Sequence, residues 1–234
     1  MPIRKWSSIR VIDDSVETHW EMAARTRMGV YLTKRETEFL LNAIDFSKCD
    51  LVCDIGSGAG KFSLLAAQRS INVVSLDVDL HSIRRLRVKD KRIDVIVADA
   101  KYIPLKSNIA CAVFSFEVLD YIPELKMVLT ECRRILENNH PLVFSFGNRS
   151  SLKSILREMS GKHYTHSYGE AISVLKEIGL KIEKAKGYNW LLFGRTSENP
   201  LIPLLARVER AFGLQKLPGW SPWVLIKAIK ADRQ

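Results

Sequence analysis

No stretch of the chain is apolar for long enough to span a bilayer as a helix. The opening Met1-Pro-Ile-Arg-Lys-Trp-Ser-Ser8 lacks the apolar core and small-residue cleavage site of a secretory leader, so the chain reads as cytoplasmic. There is no Gly/Ser-rich or Pro-rich linker, no internal repeat and no low-complexity tract, which leaves no visible boundary between independent domains. Cysteine is sparse. The four residues at 49, 53, 111 and 132 include no second Cys or His pair at zinc-site spacing, and they read as small apolar side chains in a reducing compartment.

The 234 residues fit one domain with a single core. The formal net charge of +10 attracts anions of every kind, from nucleic acid to acidic lipid, without choosing among them. The densest basic run, Arg84, Arg85, Arg87, Lys89, Lys91 and Arg92, reads as a solvated helix face.

Short β-branched runs alternate with longer amphipathic stretches, the pattern of βαβ units on a parallel sheet. Strands are expected at Leu51 to Ile55, Val73 to Leu76, Ile93 to Val97, Ala112 to Phe116 and Leu142 to Phe146. Helices are expected from Lys61 to Gln68, around Leu80, Ile83 and Leu86, and from Leu125 to Leu136. Two amphipathic helices precede this core between Val16 and Ile44. After it come a helix at Tyr168 to Ile178 closed by Gly179, and strands near Lys181 to Tyr188 and Trp223 to Ile229. A short apolar helix over Pro200 to Phe212 is placed to act as a lid. The chain divides into a helical cap (1–45), a cofactor-binding core (46–150) and an acceptor-side segment (151–234), all within one domain.

The most informative segment is Leu51-Val-Cys-Asp-Ile-Gly-Ser-Gly-Ala-Gly60. An apolar strand delivers the chain to three alternate glycines, and a helix follows at once. Glycine lets backbone approach a ligand closely, and the first helical N–H groups are free to meet it. A dinucleotide fingerprint needs its third glycine where this chain has Lys61, which argues against an NAD-dependent oxidoreductase. Asp54 suits a ligand carrying an ammonium group better than a pyrophosphate. Asp77, at the end of the second strand, is placed to accept from both ribose hydroxyls. Asp99 and Ala100, at the end of the third, suit an adenine amino group and ring nitrogen.

In these motifs the chain resembles a class I S-adenosylmethionine-dependent methyltransferase, of the branch that includes the ubiquinone and menaquinone enzymes. The resemblance rests on Asp54-Ile-Gly-Ser-Gly-Ala-Gly, Val73-Val-Ser-Leu-Asp77, Ala98-Asp-Ala-Lys-Tyr-Ile-Pro-Leu105, Phe116-Glu-Val-Leu-Asp-Tyr-Ile122 and Arg134-Ile-Leu136. His166-Ser-Tyr followed by Leu175-Lys-Glu-Ile-Gly-Leu extends it, so that it covers roughly residues 30 to 230. It implies a Rossmann-like fold, with a seven-stranded, mostly parallel sheet whose last hairpin contains one antiparallel strand. It also implies S-adenosylmethionine as methyl donor and S-adenosylhomocysteine as product. The residues expected at the cofactor are Asp54, Gly56, Ser57, Gly58, Gly60, Asp77, Val78, Asp99, Ala100 and Phe116. Two departures, Ala110-Cys111 for Phe-Asp and Asn139-His140 for Gly-Gly, bear on turn geometry. Tyr121 stands where many relatives carry a His.

Methyl transfer from a sulfonium needs alignment above all, and a base only where the acceptor holds its proton tightly, so no catalytic residue is assigned. Acceptor-side candidates are Tyr31, Tyr121 and His166, with His163, Tyr164 and Tyr168 nearby. For Tyr31 the reading is evenly divided between closing over the cofactor and packing on the core; His163 and His166 read more readily as exposed side chains. Trp190-Leu-Leu-Phe and Asn199-Pro-Leu-Ile-Pro-Leu-Leu-Ala are apolar enough to cover a lipid-like acceptor or to complete the core. The expected partner is a small-molecule acceptor, and no metal is called for. The alternatives are an RNA methyltransferase, prompted by the net charge, and a non-catalytic partner subunit of the same fold. The oligomeric state is left open.

Overall fold

A computed structural model describes residues 16–69, 71–154 and 166–231. Five parallel strands, β1 (Leu51–Ile55), β2 (Asn72–Asp77), β3 (Asp94–Val97), β4 (Ala112–Ser115) and β5 (Pro141–Gly147), form most of the sheet. Helix α3 (Lys61–Ala67) joins β1 to β2, α4 (Leu80–Lys89) joins β2 to β3, and α5 (Leu125–Ile135) joins β4 to β5. Ahead of them lie α1 (His19–Arg25) and α2 (Arg27–Ala43); after them come α6 (Tyr168–Glu177), β6 (Leu180–Tyr188), α7 (Ile202–Ala211) and β7 (Trp223–Lys230).

The strand order is β3-β2-β1-β4-β5-β7-β6, with β7 antiparallel to both neighbours. The order reverses between β1 and β4, and at such a reversal the loops leaving the two strands diverge to opposite faces and open a crevice. Along each strand the side chains alternate between two cores. Val52, Val73, Phe114 and Leu225 point toward α2 and α3, whereas Cys53, Val74, Val113 and Ile226 point toward α5 and α6. Because both faces are covered, β4 and β5 are buried almost throughout, which explains their largely apolar sequence, broken only by the buried Ser115 and Ser145.

The helix ends follow from local chemistry. Thr18 and Glu21 form a reciprocal capping box at the start of α1. At the α1–α2 corner, a Cβ on Gly29 would lie 2.0 Å from the Ala23 carbonyl oxygen, so only glycine permits that junction. Where Gly-Gly was expected before β5, Asn139 takes the left-handed conformation itself at φ 63°, a role open to asparagine.

Two expectations are corrected. Cys49 and Cys111 form a disulfide between the loops that lead into β1 and β4, while Cys53 and Cys132 are free and buried. The helix over Pro200 to Phe212 is not a lid: α7 packs on α2, with Arg35 Nη2 donating to the Ala206 carbonyl at 3.3 Å. None of its residues lines the crevice. Among the described residues, no helix is long and apolar enough to cross a membrane.

Candidate functional site

The reversal between β1 and β4 opens into a cleft of about 900 Å³. Its floor is the glycine loop, which curls over the end of β2: the Gly56 and Ser57 N–H groups donate to the Leu76 carbonyl at 2.7 and 3.0 Å. Gly58 N–H donates to Asp77 Oδ2 at 2.7 Å, tying the loop to the carboxylate at the end of that strand. The three glycines have different tasks. A Cβ on Gly56 would lie 2.1 Å from Val118 Cγ2, and one on Gly60 would lie 2.2 Å from Leu86 Cδ1. A Cβ on Gly58 would meet no protein atom within 4 Å, because that position faces the open cleft. Beside it the Ser57 hydroxyl is buried without a hydrogen-bond partner. Gly60, expected at the cofactor, serves packing against α4 instead and does not line the cleft.

Asp54, Asp77, Val78, Asp99, Ala100 and Phe116 all line the cleft. Asp54 is 2% exposed and accepts from the Ser63 hydroxyl, which in turn accepts from Ser75 at 2.8 Å. Burial pushes its carboxyl up to about 7, against the opposing Ser63 hydrogen bond. Asp99 accepts from Lys101 N–H at 2.9 Å and stays partly open to the cleft.

The acceptor-side candidates divide. Tyr121 stands at the rim, 67% exposed, with its ring edge-on to Trp20 at 6.2 Å. Tyr31 is buried between α2 and α7, donating to Glu209 and accepting from Asn189 N–H at 3.1 Å, so the core-packing reading holds and it takes no part in the cleft. His166 is neither exposed nor in the cleft: it is 1% exposed, with Nε2 at 2.8 Å from the Ile122 carbonyl and 3.1 Å from that of Leu119. It braces the 3₁₀ turn Leu119–Tyr121 that carries Tyr121. Tyr168 opens α6 and packs into the second core; His163 and Tyr164 lie outside the described residues.

Four charged residues that sequence reading passed over meet at one end of the cleft. Glu36, wholly buried on α2, accepts from Lys61 Nζ and from the Tyr188 hydroxyl, each at 2.8 Å. Lys61 also lies 3.5 Å from Glu117, whose carboxylate is paired with Arg195. Burial alone would raise Glu117, but Lys61 and Arg195 outweigh it and hold the carboxyl low. Burial pushes Glu36 up, with the Glu117 charge adding to the effect and Lys61 opposing it. Glu117 sits at φ 63° with its N–H donating to the Ser145 hydroxyl at 3.0 Å, a conformation that costs a non-glycine residue about 1 kcal/mol or more. The Arg195 guanidinium lies 5.0 Å from the centroid of Trp20. In the sequence, Lys61 drew notice only for its place in the glycine spacing and Glu117 only as part of the Phe116-Glu-Val-Leu motif.

The basic run on α4 is not all solvated. Arg85 and Lys89 turn toward the cleft and hold Glu21 of α1 at 2.8 and 2.7 Å, fastening that helix over its mouth. No His/Cys/Asp/Glu cluster suited to a metal occurs among the described residues.

Comparison with known proteins agrees with this architecture. Residues 53–144 match the family described as "Methyltransferase domain". An uncharacterized protein of Methanocaldococcus jannaschii is 33% identical over 117 residues, 50% of this chain and 49% of its own length. A malonyl-[acyl-carrier protein] O-methyltransferase of Hamiltonella defensa is 28% identical over 142 residues, 60% of this chain and 55% of that one. The chain thus spans about half the length of both relatives. Among solved structures, geranyl diphosphate C-methyltransferase from Streptomyces coelicolor A3(2), in complex with Mg2+, geranyl diphosphate and S-adenosyl-L-homocysteine, superposes with a TM-score of 0.62 at 17% identity, covering 86% of this chain and 81% of the other. That likeness is one of fold. The matched domain lies on the part of the chain that carries the glycine loop and the strand reversal, and the sheet order is that of the fold these structures share.

Proposed function

We propose that the cleft binds S-adenosylmethionine and that the chain transfers its methyl group to a small, apolar acceptor. The observation that carries this reading is the pairing of Gly58, whose missing Cβ leaves ligand space open, with the buried and unpartnered Ser57 hydroxyl beside it. A ligand that follows the loop there meets Asp77 at the next strand end and Asp99 at the one after.

The residues present fit such a cofactor. Asp54, buried at the inner end, suits the methionine ammonium, which would favour the ionised carboxylate that burial opposes. Asp77 retains acceptor capacity for the ribose hydroxyls, and Asp99 with the Ala100 N–H suits adenine. Phe116, tilted against Phe62 at 4.4 Å, backs the methionine end. The bound cofactor supplies an electrophilic methyl with a good leaving group. The chain's part is to exclude water and hold the acceptor in line, about 3 Å from that carbon. Glu117, held low by two cations, is a poor base and is assigned positioning rather than proton abstraction.

Trp20, Tyr121, Ile122 and Pro123 give the acceptor end an aromatic and apolar wall. Acidic and basic side chains around the cleft nearly cancel, so the net charge of +10 is not concentrated where an RNA acceptor would need it. The test is calorimetric titration with S-adenosylmethionine and S-adenosylhomocysteine, with NADH as control, followed by transfer of labelled methyl to carboxylate and prenyl acceptors. Micromolar binding of the first two with none of NADH is expected. Absence of binding by all three rejects the reading and leaves a non-catalytic partner subunit.

A further inference from the structure

The ion-pair group at the end of the cleft does not close on itself. Glu36 lies wholly buried behind Lys61 and outside the cleft lining, so a ligand there faces Lys61 and Arg195 across the single carboxylate of Glu117. The Arg195 guanidinium has three nitrogens and uses one. Its Nη2 donates to Glu117, the only hydrogen-bond partner of the guanidinium among the described residues, and its Nε is buried with none. An ion pair kept only for the fold would be expected to saturate such donors, because a buried N–H left unpaired is costly. Burial also pushes the Glu36 carboxyl up to about 8, with the Glu117 charge adding to it. Near neutrality that carboxyl therefore keeps its proton, and one charged carboxylate answers two cations.

The two cations are set in place by the fold. The Thr26 hydroxyl, at the N-cap of α2, donates to the Arg195 carbonyl at 2.8 Å, and the Met28 N–H donates to the Ser197 carbonyl at 3.1 Å. These bonds fix the backbone on both sides of the arginine. Its guanidinium carbon lies 5.0 Å from the Trp20 centroid, and Trp20 meets Tyr121 edge-on. Arg195 thus stands where the aromatic wall of the acceptor end joins the ion-pair group. Lys61 opens α3 directly after the glycine loop and is 30% exposed. Both side chains reach the same oxygen, Glu117 Oε1, so one small anion can meet both.

We propose that Arg195 and Lys61 form a seat for one carboxylate of a ligand in this cleft. The planar guanidinium fork matches a carboxylate, and the lysine adds a point charge beside it. Two ligands could bring that group. One is an acceptor whose apolar body lies along Trp20 and Tyr121; the other is the methionine end of the cofactor, whose ammonium falls to Asp54. The seat's part in methyl transfer rests on the function proposed above, whereas its preference for a carboxylate does not.

Isothermal calorimetry on the purified full chain tests the seat with two pairs of probes. S-adenosylhomocysteine against S-adenosyl-3-thiopropylamine, which keeps the ammonium and lacks only the carboxylate, reads the cofactor as source. Octanoate against octanol, titrated alone and with S-adenosylhomocysteine present, reads the acceptor. At least one pair should favour the carboxylate by about tenfold or more. Arg195→Gln should erase that preference and Arg195→Lys, which keeps a cation, should retain part of it, with melting temperatures to check the fold. Equal affinities within both wild-type pairs overturn the proposal without recourse to any variant, as does a preference that survives in a folded Arg195→Gln. A wild type that binds neither adenosyl ligand rejects the cofactor reading, and octanoate against octanol then decides the seat by itself.

Discussion

Replacing Gly58 and Gly56 by alanine, one at a time, separates a glycine kept for a ligand from a glycine kept for packing. Both have left-handed backbones, at φ 52° and 74°, and each alanine therefore costs ~1–2 kcal/mol of folding stability. At position 58 that is the whole cost to the fold, because the added Cβ meets no protein atom within 4 Å. A loss of this size lowers the melting temperature by about 3–6 °C in a chain of this length. At position 56 the Cβ would lie 2.1 and 2.6 Å from the two methyls of Val118, so overpacking adds ~1–3 kcal/mol. The order reverses for ligand binding. The Gly58→Ala methyl occupies space the proposed cofactor would fill, and its affinity should fall at least about tenfold, or 1.4 kcal/mol. Thermal unfolding with and without S-adenosylhomocysteine reads both effects, since a ligand present at a hundred times its dissociation constant stabilises the wild type by about 2.7 kcal/mol. The expected pattern is a modest shift with ligand stabilisation cut to about half or less for Gly58→Ala and a larger shift for Gly56→Ala. Wild-type affinity in Gly58→Ala would refute the assignment of this loop to the ligand.

Asp77→Ala should weaken S-adenosylmethionine binding by ~1–3 kcal/mol through lost ribose hydrogen bonds, and an unchanged calorimetric affinity rejects that role. Burial pushes the Glu36 carboxyl up, so the folded chain holds its proton more tightly than the unfolded one. The stability this contributes is complete below the ordinary carboxylate range and declines as pH rises through the raised value. Glu36→Gln should therefore flatten the alkaline side of the stability curve, and urea midpoints that run parallel to wild type from pH 5 to 9 would contradict it. Reducing Cys49–Cys111, which spans 62 residues, should cost up to about 4 kcal/mol of stability in the chain-entropy limit. Dithiothreitol is expected to lower the melting temperature of the wild type but not of the variant with both cysteines changed to serine; equal shifts would refute it.

What was legible in the sequence was what is local in it. The β1–glycine–α3 unit, Asp77 and Asp99 each announce themselves within a few residues, because a strand end, a turn and a helix start all have short signatures. The Glu36, Lys61, Glu117 and Arg195 group has no such signature: its members come from α2, α3, the end of β4 and the segment after β6, and only the fold brings them together. Tyr31 was an acceptor-side candidate because its segment resembles one that closes over the cofactor, and His166 because it falls in a basic, loop-like stretch. Their burial against Glu209 and against two carbonyls was not readable from neighbours in sequence. The disulfide eluded spacing rules for the same reason, since strand pairing sets Leu51 and Cys111 side by side.

Glu21 serves two structures with one carboxylate. Its Oε2 accepts from the Thr18 N–H and from Arg85 Nε, both at 2.8 Å, while Oε1 takes Arg85 Nη2 and Lys89 Nζ. The first of these bonds starts a seven-residue helix, and the others fasten it to α4 across the mouth of the cleft. A helix that short does not persist without tertiary support. Swinging α1 aside as a rigid door would therefore strip away the contacts that keep it helical. Opening the cleft on this side therefore breaks the Glu21 contacts with Arg85 and Lys89 that give this short helix its tertiary support.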